Sequence, residues 1–405
     1  MEKTILDKTT NLTQVEIEGE QYYKISNSDA LRPFFMTIVS EADHWLFVSS
    51  NGGLTAGRRN ADHALFPYYT DDKITESIET TGCKTIVLLQ CNGETIRWEP
   101  FSDRQQGRYH LSRHLYKSIY GHKLLFEEEN HDLQLSFRYE WNSSDRFGFV
   151  RKASLTNHAL QDVELRLLDG LQNILPHGVG SALQQSRSNL VDAYKRSELD
   201  PETGLGIYAL SAIIVDRAEP SEALKANVVW SVGLDNPAHL LSSLQLDAFR
   251  KGLPIVPETD VKAERGAYLL TTQLQLEAGG TQKWMLVADV SLNHSSIVAL
   301  ADTLRREPKL TQLVKADVQL GAEKLIALCA AADGLQQTAN HRQDSRHFSN
   351  VLFNIMRGGI FDDHYRIQRA DLMRYLAKAN RALATEQAAL MESLPEITDI
   401  DAVMN

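Results

Sequence analysis

The stretch that decides the fold is Leu133-Gln134-Leu135-Ser136-Phe137-Arg138-Tyr139-Glu140-Trp141, in which apolar and polar side chains alternate without a break. Successive side chains of a β-strand point to opposite faces of the sheet, so this stretch predicts a strand with one buried face. Residues 123–127 precede it and are separated from it by the turn segment Asn130-His131-Asp132. The two stretches together predict an antiparallel hairpin.

The same period of two dominates the chain from about residue 12 to about residue 290. Residues 147–155 and 163–167 are expected to pair around a turn near Asn157, and residues 268–276 and 284–290 give the clearest hairpin, joined through two glycines. Helical patterns do not alternate with these strands, which favours antiparallel sheets packed face to face over a parallel α/β fold. We expect a mainly β fold, a large antiparallel β super-sandwich followed by α-helical linker segments.

The hydrophobic period changes to that of a helix after Asn293. Ser295 or Ser296 is a suitable N-cap, and apolar residues then recur at helical spacing until Pro308. A second helical pattern runs from Val314 to Ala332.

A third helix is expected to begin near Asp362-Asp363, where acidic side chains suit the positive end of the helix dipole, and to end by Pro395. The sequence therefore predicts three regions: a sandwich over residues 1–292, linker helices over 293–345, and a helical segment over 346–405.

The composition is that of a folded globular chain, with 405 residues, 43% hydrophobic residues and 23% charged residues. The net charge of −11 has the wrong sign for binding a phosphate backbone, so nucleic acid is not an expected partner. The three cysteines show no CxxC spacing and predict buried thiols in a reducing compartment. Because no signal core and no apolar run of about 18 residues occurs, we expect a cytoplasmic protein without a membrane partner.

The most unusual stretch, residues 45–72, combines a Gly-rich turn, a cationic loop, aromatic residues and carboxylates. This mixture suits sugar recognition, because aromatic rings stack on pyranose C–H faces while polar side chains bind hydroxyls. The alternative is a long surface loop in which Arg58 and Arg59 pair with Asp62 or Asp71. The candidate residues for sugar or interface contact are Asn51, Gly52, Gly53, Thr55, Arg58, Arg59, Tyr68, Tyr69 and Asp71.

No catalytic or metal-binding constellation stands out by spacing. His110 and His114 are four residues apart, but the segment fits a strand as well as a helix and has no zincin glutamate. Adjacent carboxylates such as Asp71-Asp72 would point to opposite faces of a strand and cannot form a glycosidase pair by themselves. The sequence therefore predicts no catalytic residue and no metal site.

Two stretches carry a resemblance to a known family. The first contains Ser50-Asn51-Gly52-Gly53-Leu54-Thr55, Arg58-Arg59 and Phe66-Pro67-Tyr68-Tyr69-Thr70-Asp71-Asp72, and the second is residues 149–157 followed by 163–170. They resemble the N-terminal domain of cellobiose phosphorylase and related inverting disaccharide phosphorylases, the second stretch resembling paired strands late in the first sheet.

The resemblance implies a galactose-mutarotase-like super-sandwich, linker helices, and then an (α/α)6 barrel that holds the catalytic carboxylate and the phosphate site. Such a barrel needs several hundred further residues, so we expect the catalytic machinery to lie beyond Asn405. The implied partners are an oligosaccharide or glucoside, a downstream catalytic domain and, through subunit contacts of the family's N-terminal domain, a second copy in a homodimer. Inorganic phosphate is implied as the co-substrate of the complete enzyme, and no metal or organic cofactor is implied.

We therefore expect the carbohydrate-binding and structural portion of a glycoside phosphorylase or hydrolase-like enzyme, not catalytic by itself. One alternative is a non-catalytic carbohydrate-binding or assembly module. A second is a mutarotase or epimerase-like sugar enzyme with its site inside the sandwich, which requires a histidine and a carboxylate that converge. The candidates for that site are His110, His114, His122, Glu127 and Glu140.

Overall fold

The computed structural model describes residues 9–91, 93–105, 107–212, 223–357, 366–399 and 403. Its strands are, in chain order, β1 (Asn11–Ile17), β2 (Glu20–Ser26), β3 (Phe35–Ile38), β4 (His44–Ser49), β5 (Leu54–Arg58), β6 (Gly82–Cys91), β7 (Glu94–Trp98), β8 (Leu111–Ser118), β9 (Leu124–Asn130), β10 (Leu135–Ser144), β11 (Gly148–Asn157), β12 (Val163–Ile174), β13 (Lys195–Asp200), β14 (Leu205–Leu210), β15 (Lys225–Val232), β16 (Ala238–Leu240), β17 (Asp260–Lys262), β18 (Gly266–Leu276), β19 (Thr281–Asn293), β20 (Arg366–Gln368) and β21 (Ile397–Asp399). Its helices are α1 (Asp71–Glu76), α2 (Ser181–Asp192), α3 (Leu246–Arg250), α4 (His294–Arg306), α5 (Leu310–Ala331), α6 (His341–Met356), α7 (Arg369–Ala379), α8 (Arg381–Glu386) and α9 (Ala388–Ser393).

A large antiparallel sheet organises the first part of the chain. Its eleven strands lie in the order β1-β2-β8-β9-β10-β11-β19-β15-β14-β13-β17. The hairpin predicted around residues 130–132 is confirmed, since β9 pairs antiparallel with β10 and Asn130 lies opposite Leu135. The predicted class, a mainly β protein with a large antiparallel sheet, is therefore observed.

The core lies between this large sheet and a second sheet of five strands, in the order β16-β18-β12-β6-β7, with the three-stranded sheet β3-β4-β5 beside them. Phe137 and Phe149 from the large sheet are fully buried in one cluster with Leu167 and Leu270 from the second sheet and Val48 from β4. Every second residue of each central strand therefore enters the sandwich core, as a period of two requires.

Two of the predicted strand pairs are wrong, because their members belong to different sheets. β11 pairs with β10 and β19 in the large sheet, whereas β12 pairs with β6 and β18 in the second sheet. The predicted hairpin around Gly279-Gly280 is wrong for the same reason, since β18 and β19 lie in different sheets. Asn157 connects the segment between β11 and β12 with the segment between β18 and β19. Its side-chain amide donates hydrogen bonds to the carbonyl oxygens of Gln161, Leu276 and Glu277. The alternation of apolar and polar side chains predicts where a strand lies and which of its faces is buried, but not which strand it pairs with.

Helices α4 and α5 follow the last strand of the large sheet. The N-cap of α4 is Asn293, whose side-chain oxygen accepts a hydrogen bond from the backbone N–H of Ser296 at 2.9 Å, so the serine caps proposed from sequence are wrong. The carboxamide oxygen meets the same free N–H groups that a serine would. Val314 and Val318 of α5 share a buried cluster with Val228 and Val287 on the outer face of the large sheet, the face turned away from the sandwich core.

The chain divides into two compact units, residues 1–321 and residues 322–405. In the second unit, α6 lies mostly within the segment 346–405 that was expected to be helical, although no separate helix was predicted there, and it buries Phe348, Val351 and Leu352. The long third helix expected from sequence is in fact the three short helices α7, α8 and α9, preceded by β20, which pairs antiparallel with β21. Its predicted start at residues 362–363 lies outside the described residues.

Two cysteines, Cys83 and Cys329, carry free thiols, and burial raises the pKa of each to about 11. A raised pKa keeps a thiol protonated and unreactive near neutral pH, as expected of structural cysteines. Within the described part of the chain, no helix is both long enough and apolar enough to cross a membrane.

Candidate functional site

The Gly-rich turn of the predicted sugar-binding loop is packed closely against α1. Gly52 has a φ of +100°, and a Cβ atom built on Gly53 would lie 2.1 Å from the carbonyl oxygen of Ile74. Asn51 donates a side-chain hydrogen bond to the carbonyl of Thr75 at 2.9 Å and accepts one from the backbone N–H of Gly53 at 3.1 Å. These three predicted residues therefore fix the turn against the helix.

Arg58 is surrounded by carboxylates from three other parts of the chain. Its guanidinium lies 2.6 Å from Asp43, 3.2 Å from Asp145 and 3.4 Å from Asp289, and not beside the acidic residues of its own loop. Burial lowers the pKa of Arg58, but these carboxylates raise it overall above its usual value. Burial also raises the pKa of Asp289. Thr55, on the same strand, is fully buried and donates to a backbone carbonyl.

The other four predicted residues of the loop lie nearer the surface. Arg59 has 73% of its side chain exposed. Tyr68 is 38% exposed, and its ring meets that of Trp45 edge-on with 5.3 Å between centroids. Tyr69 is partly buried and Asp71 is exposed at the start of α1. The nine residues thus form a buried group that shapes the loop and a group available to a ligand, and sugar contact stays a prediction.

A second polar region lies on the outer face of the large sheet. Strand alternation turns Glu140 away from the core, and its carboxylate lies 2.8 Å from the hydroxyl of Tyr22 and 3.0 Å from the side-chain amide of Asn142. Lys152, directly opposite on β11, places its ammonium 3.4 Å from the same carboxylate. Burial, together with Glu140 and Glu20, raises the pKa of Tyr22, so its hydroxyl stays protonated.

Glu20 extends this arrangement to the turn between β8 and β9. Its carboxylate lies 3.1 Å from the hydroxyl of Tyr22, 3.3 Å from Nε2 of His122 and 2.5 Å from Nζ of Lys123. Burial raises the pKa of Glu20, but the hydrogen bonds with His122 and Lys123 outweigh this and lower it to about 2. We call the set His122, Lys123, Glu20, Tyr22, Glu140 and Lys152 the Tyr22 network.

A neighbouring group on β8 and β9 contains the residues that could offer ligands to a metal. One ligand atom each of His114, Glu127 and Glu129 lies within 4.8 Å of the others. Glu127, however, accepts hydrogen bonds from Arg138 at 2.5 Å and from Tyr116. Because an arginine already neutralises this carboxylate, the group is better explained as a structural ion-pair cluster of the sheet.

A cavity of about 320 Å³ lies on the same outer face, within residues 1–321. Its floor consists of β10, β11 and β19, the turn after β1 closes one side, and the first turns of α5 close another. Six of its lining residues are charged: the cations are Arg138, Lys152, Lys283 and Lys315, and the carboxylates are Glu18 and Glu140.

Sequence reasoning named some of these residues and missed others. His122 and Glu140 belong to the Tyr22 network, and His114 and Glu127 belong to the neighbouring group. The exposed His110 lies beside His131, with 4.8 Å between the centroids of the two tilted rings. The network residues Glu20, Tyr22, Lys123 and Lys152 were missed. Alternation alone assigns Glu140 and Lys152 to one face, but their neighbours come from a strand more than a hundred residues earlier.

Comparison with known proteins gives one match at the level of a protein family. Residues 361–405 match the family described as glycoside hydrolase family 149 insertion domain 1. No curated protein sequence matches the chain.

Three solved structures illustrate what the fold is similar to. A bacterial glucoamylase complexed with acarbose aligns with a TM-score of 0.44 and 11% identity over 98% of this chain and 55% of that chain. A protein named as a kojibiose phosphorylase from the human microbiome aligns with a TM-score of 0.36 and 10% identity over 82% and 35% of the two chains. A protein named as an aldose 1-epimerase from Escherichia coli K12 aligns with a TM-score of 0.34 and 10% identity over 64% and 99%.

This chain thus spans about half the length of the glucoamylase, 55% of it. Similarities at such TM-scores carry no argument about function, so the functional connection depends on the match at residues 361–405. Over that segment, the chain is similar to an insertion domain of a glycoside hydrolase family, and so to part of a carbohydrate-active protein.

Proposed function

We propose that this chain is the carbohydrate-binding and structural portion of a glycoside phosphorylase or hydrolase-like enzyme that acts on oligosaccharides. The observation that carries the proposal is the match of residues 361–405 to an insertion domain of glycoside hydrolase family 149. The motifs of residues 47–72, which resemble those of cellobiose phosphorylase, favour a phosphorylase.

In this proposal the bond is cleaved by residues of an (α/α) barrel outside these 405 residues. Phosphate attacks the anomeric carbon with inversion while a carboxylic acid protonates the leaving oxygen. The present chain supplies the sandwich and a loop that contacts the sugar or the barrel. The exposed fraction of Tyr68 and the position of Asp71 at the surface support that role for the loop.

The test is phosphate-dependent release of sugar 1-phosphate from a panel of β-linked disaccharides, measured with this chain alone and with a longer gene product. We expect activity in the longer product only. Turnover by this chain alone would contradict the proposal, because it would require a complete active site within the sandwich. If this chain and the longer gene product are both inactive but the chain binds glucosides, the hypothesis of a non-catalytic binding module replaces the proposal.

The loop itself is tested best at Tyr68, because Arg58→Ala would also remove three ion pairs. Tyr68→Ala should weaken glucoside binding in calorimetry without lowering the melting temperature. Tyr375→Ala is the matched control, since Tyr375 is an exposed tyrosine, 68% accessible, in the second unit. Unchanged affinity in Tyr68→Ala would remove this residue from the sugar site.

A second candidate, a mutarotase or epimerase-like activity, is favoured by one observation. His122 and Glu140, two of the groups predicted for such a site, are joined through Glu20 and Tyr22 in one hydrogen-bonded network. Polarimetry of freshly dissolved α-glucose would show accelerated mutarotation, and Glu140→Gln would abolish the acceleration. A rate equal to that of buffer rejects this candidate.

A further inference from the structure

We propose that the cavity on the outer face of the large sheet binds a pyranose that carries an anionic group, a phosphate or a carboxylate. The identification of the ligand as a sugar rests on the proposed function. The anionic group follows from the charges and geometry of the cavity itself.

The volume of the cavity is that of a site for a small molecule. A volume of about 320 Å³ lies at the lower end of the range of small-molecule sites and suits one substituted sugar ring. Side chains of Ile17, Leu125 and Met285 contribute apolar surface for the C–H face of such a ring, and Ser154 and Thr156 contribute hydroxyls.

The charge of the lining is opposite to that of the chain. Four cations and two carboxylates line the cavity in a protein whose net charge is −11. Local concentration of positive charge against the overall sign attracts anions to this place.

Among the residues that the structure describes, three of the four cations in the lining form ion pairs with carboxylates, and Lys315 does not. Arg138 pairs with Glu127 and Lys152 with Glu140. Lys283 lies 2.9 Å from Glu18, but 65% and 69% of these side chains are exposed, so the pair is screened by solvent and can exchange for a ligand at little cost. Lys315 forms no ion pair within the described ranges, although its field, with the hydrogen bond from Lys283 as the larger cause, lowers the pKa of Glu18.

Lys315 also has a favourable position on its helix. It lies on α5 one turn after Thr311, which lines the same cavity from the first turn of this 22-residue helix. The partial positive charge of a helix N-terminus and a threonine hydroxyl complement the same anion. In this proposal the anionic group lies where Lys315, Thr311 and Lys283 line the cavity, and the sugar ring lies on the floor of β10 and β11.

The experiment is isothermal titration calorimetry on the full chain with glucose 6-phosphate, glucose 1-phosphate, glucuronate, glucose and inorganic phosphate. We expect at least one of the three anionic sugars to bind more tightly than glucose and than phosphate. Lys315→Met should weaken that binding roughly tenfold, the loss of about one hydrogen bond to a charged group, and leave any glucose binding unchanged.

Lys262→Met is the control, because Lys262 is also an exposed lysine and lies on β17 of the same sheet, where it pairs with Asp260 and does not line the cavity. If glucose binds as tightly as the anionic sugars, the ligand does not need an anionic group. If inorganic phosphate binds as tightly as the anionic sugars, the ligand does not need a sugar ring. Unchanged affinity in Lys315→Met overturns the site, and so does the absence of binding by all three anionic sugars. The outcome is distinguishable from failure of the proposed function, because that function is decided by phosphorolysis in the longer gene product, whereas the present proposal is decided by the effect of Lys315→Met on the binding of anionic sugars.

Discussion

Arg151 is a fully buried cation at the centre of the sandwich. Its guanidinium forms two hydrogen bonds with Asp169 of the opposite sheet, at 2.7 and 3.0 Å, and lies 5.0 Å from the ring centroid of Tyr139. Trp284 and Thr85 donate to the remaining positions on the carboxylate of Asp169. The pair therefore connects the two sheets inside the core, and both oxygen atoms of the carboxylate accept hydrogen bonds.

Removing the charge of one partner should be costly. Asp169→Asn leaves the buried guanidinium uncompensated, and we expect the free energy of unfolding to fall by about 3–5 kcal/mol in urea denaturation. Asp260→Asn, at the exposed ion pair with Arg196, should have a far smaller effect. Equal losses in both variants would show that Arg151 finds another partner.

Gly53 is a second residue whose identity is dictated by packing. Because an added Cβ atom would lie 2.1 Å from the carbonyl oxygen of Ile74, Gly53→Ala should destabilise the protein by about 1–3 kcal/mol, measured by urea denaturation. Gly321→Ala is the control, since its Cβ atom would meet nothing closer than 3.7 Å and alanine favours a helix. A stable Gly53→Ala protein would mean that the turn moves freely from α1.

At the scale of elements, the tight turn between β1 and β2 shapes the cavity. Ile17 lies opposite Glu20, so the turn consists of Glu18 and Gly19 alone, and both have positive φ, 51° and 86°. Such two-residue turns follow the twist of the strands. The turn carries Glu18 to Lys283 on β19, several strands away in the sheet order.

Glu20 connects β2 to the turn between β8 and β9, and this connection should depend on pH. Its pKa is about 2 in the folded protein, below the ordinary 4.5, so the ionised form contributes stability above about pH 4.5 that is lost as the pH falls toward 2. The free energy of unfolding of the wild type should therefore fall more steeply over this range than that of Glu20→Gln. Denaturant titrations at a series of pH values measure the difference.

The control for this measurement is Glu94→Gln. Glu94 is exposed on β7 and has no ion pair within the part of the chain that the structure describes. The free energy of unfolding of the Glu94→Gln variant should change with pH as that of the wild type does. Parallel profiles for Glu20→Gln and the wild type would show that Glu20 is not held by His122 and Lys123.

At the scale of the whole molecule, the two units differ in how much they bury. The first contains the sandwich core, whereas α7 and α8 of the second bury no side chain. Elements with few buried contacts open locally at low free energy. The second unit should therefore be the more readily digested part of the chain.

Limited trypsin digestion followed by mass spectrometry tests this expectation. The first cuts should occur in α7 and α8, at Arg374, Lys378 or Arg381, before any cut in α6, which buries three side chains. Exposed Lys262 and Arg59 in the first unit provide the comparison. Equal rates of cleavage in both units would contradict the difference in local stability.

The sequence by itself determined that the first part of the chain consists mainly of strands, the buried faces of several central strands, and the change to helices after Asn293. These features depend on side-chain periods along a few residues, and β10 shows it: Phe137 and Tyr139 enter the core, and Arg138 and Glu140 face outward. The candidate loop was also found from local composition.

Only the tertiary structure decided which strands are neighbours and which polar groups meet. β18 and β19 are adjacent in sequence but lie in different sheets, and Tyr22 meets Glu140 across 118 positions of the chain. Arg58 likewise finds its carboxylates on distant segments. The physical reason is that a strand's alternation is satisfied by any sheet with an apolar side, whereas the choice of sheet and of ion-pair partner depends on packing between residues far apart in sequence.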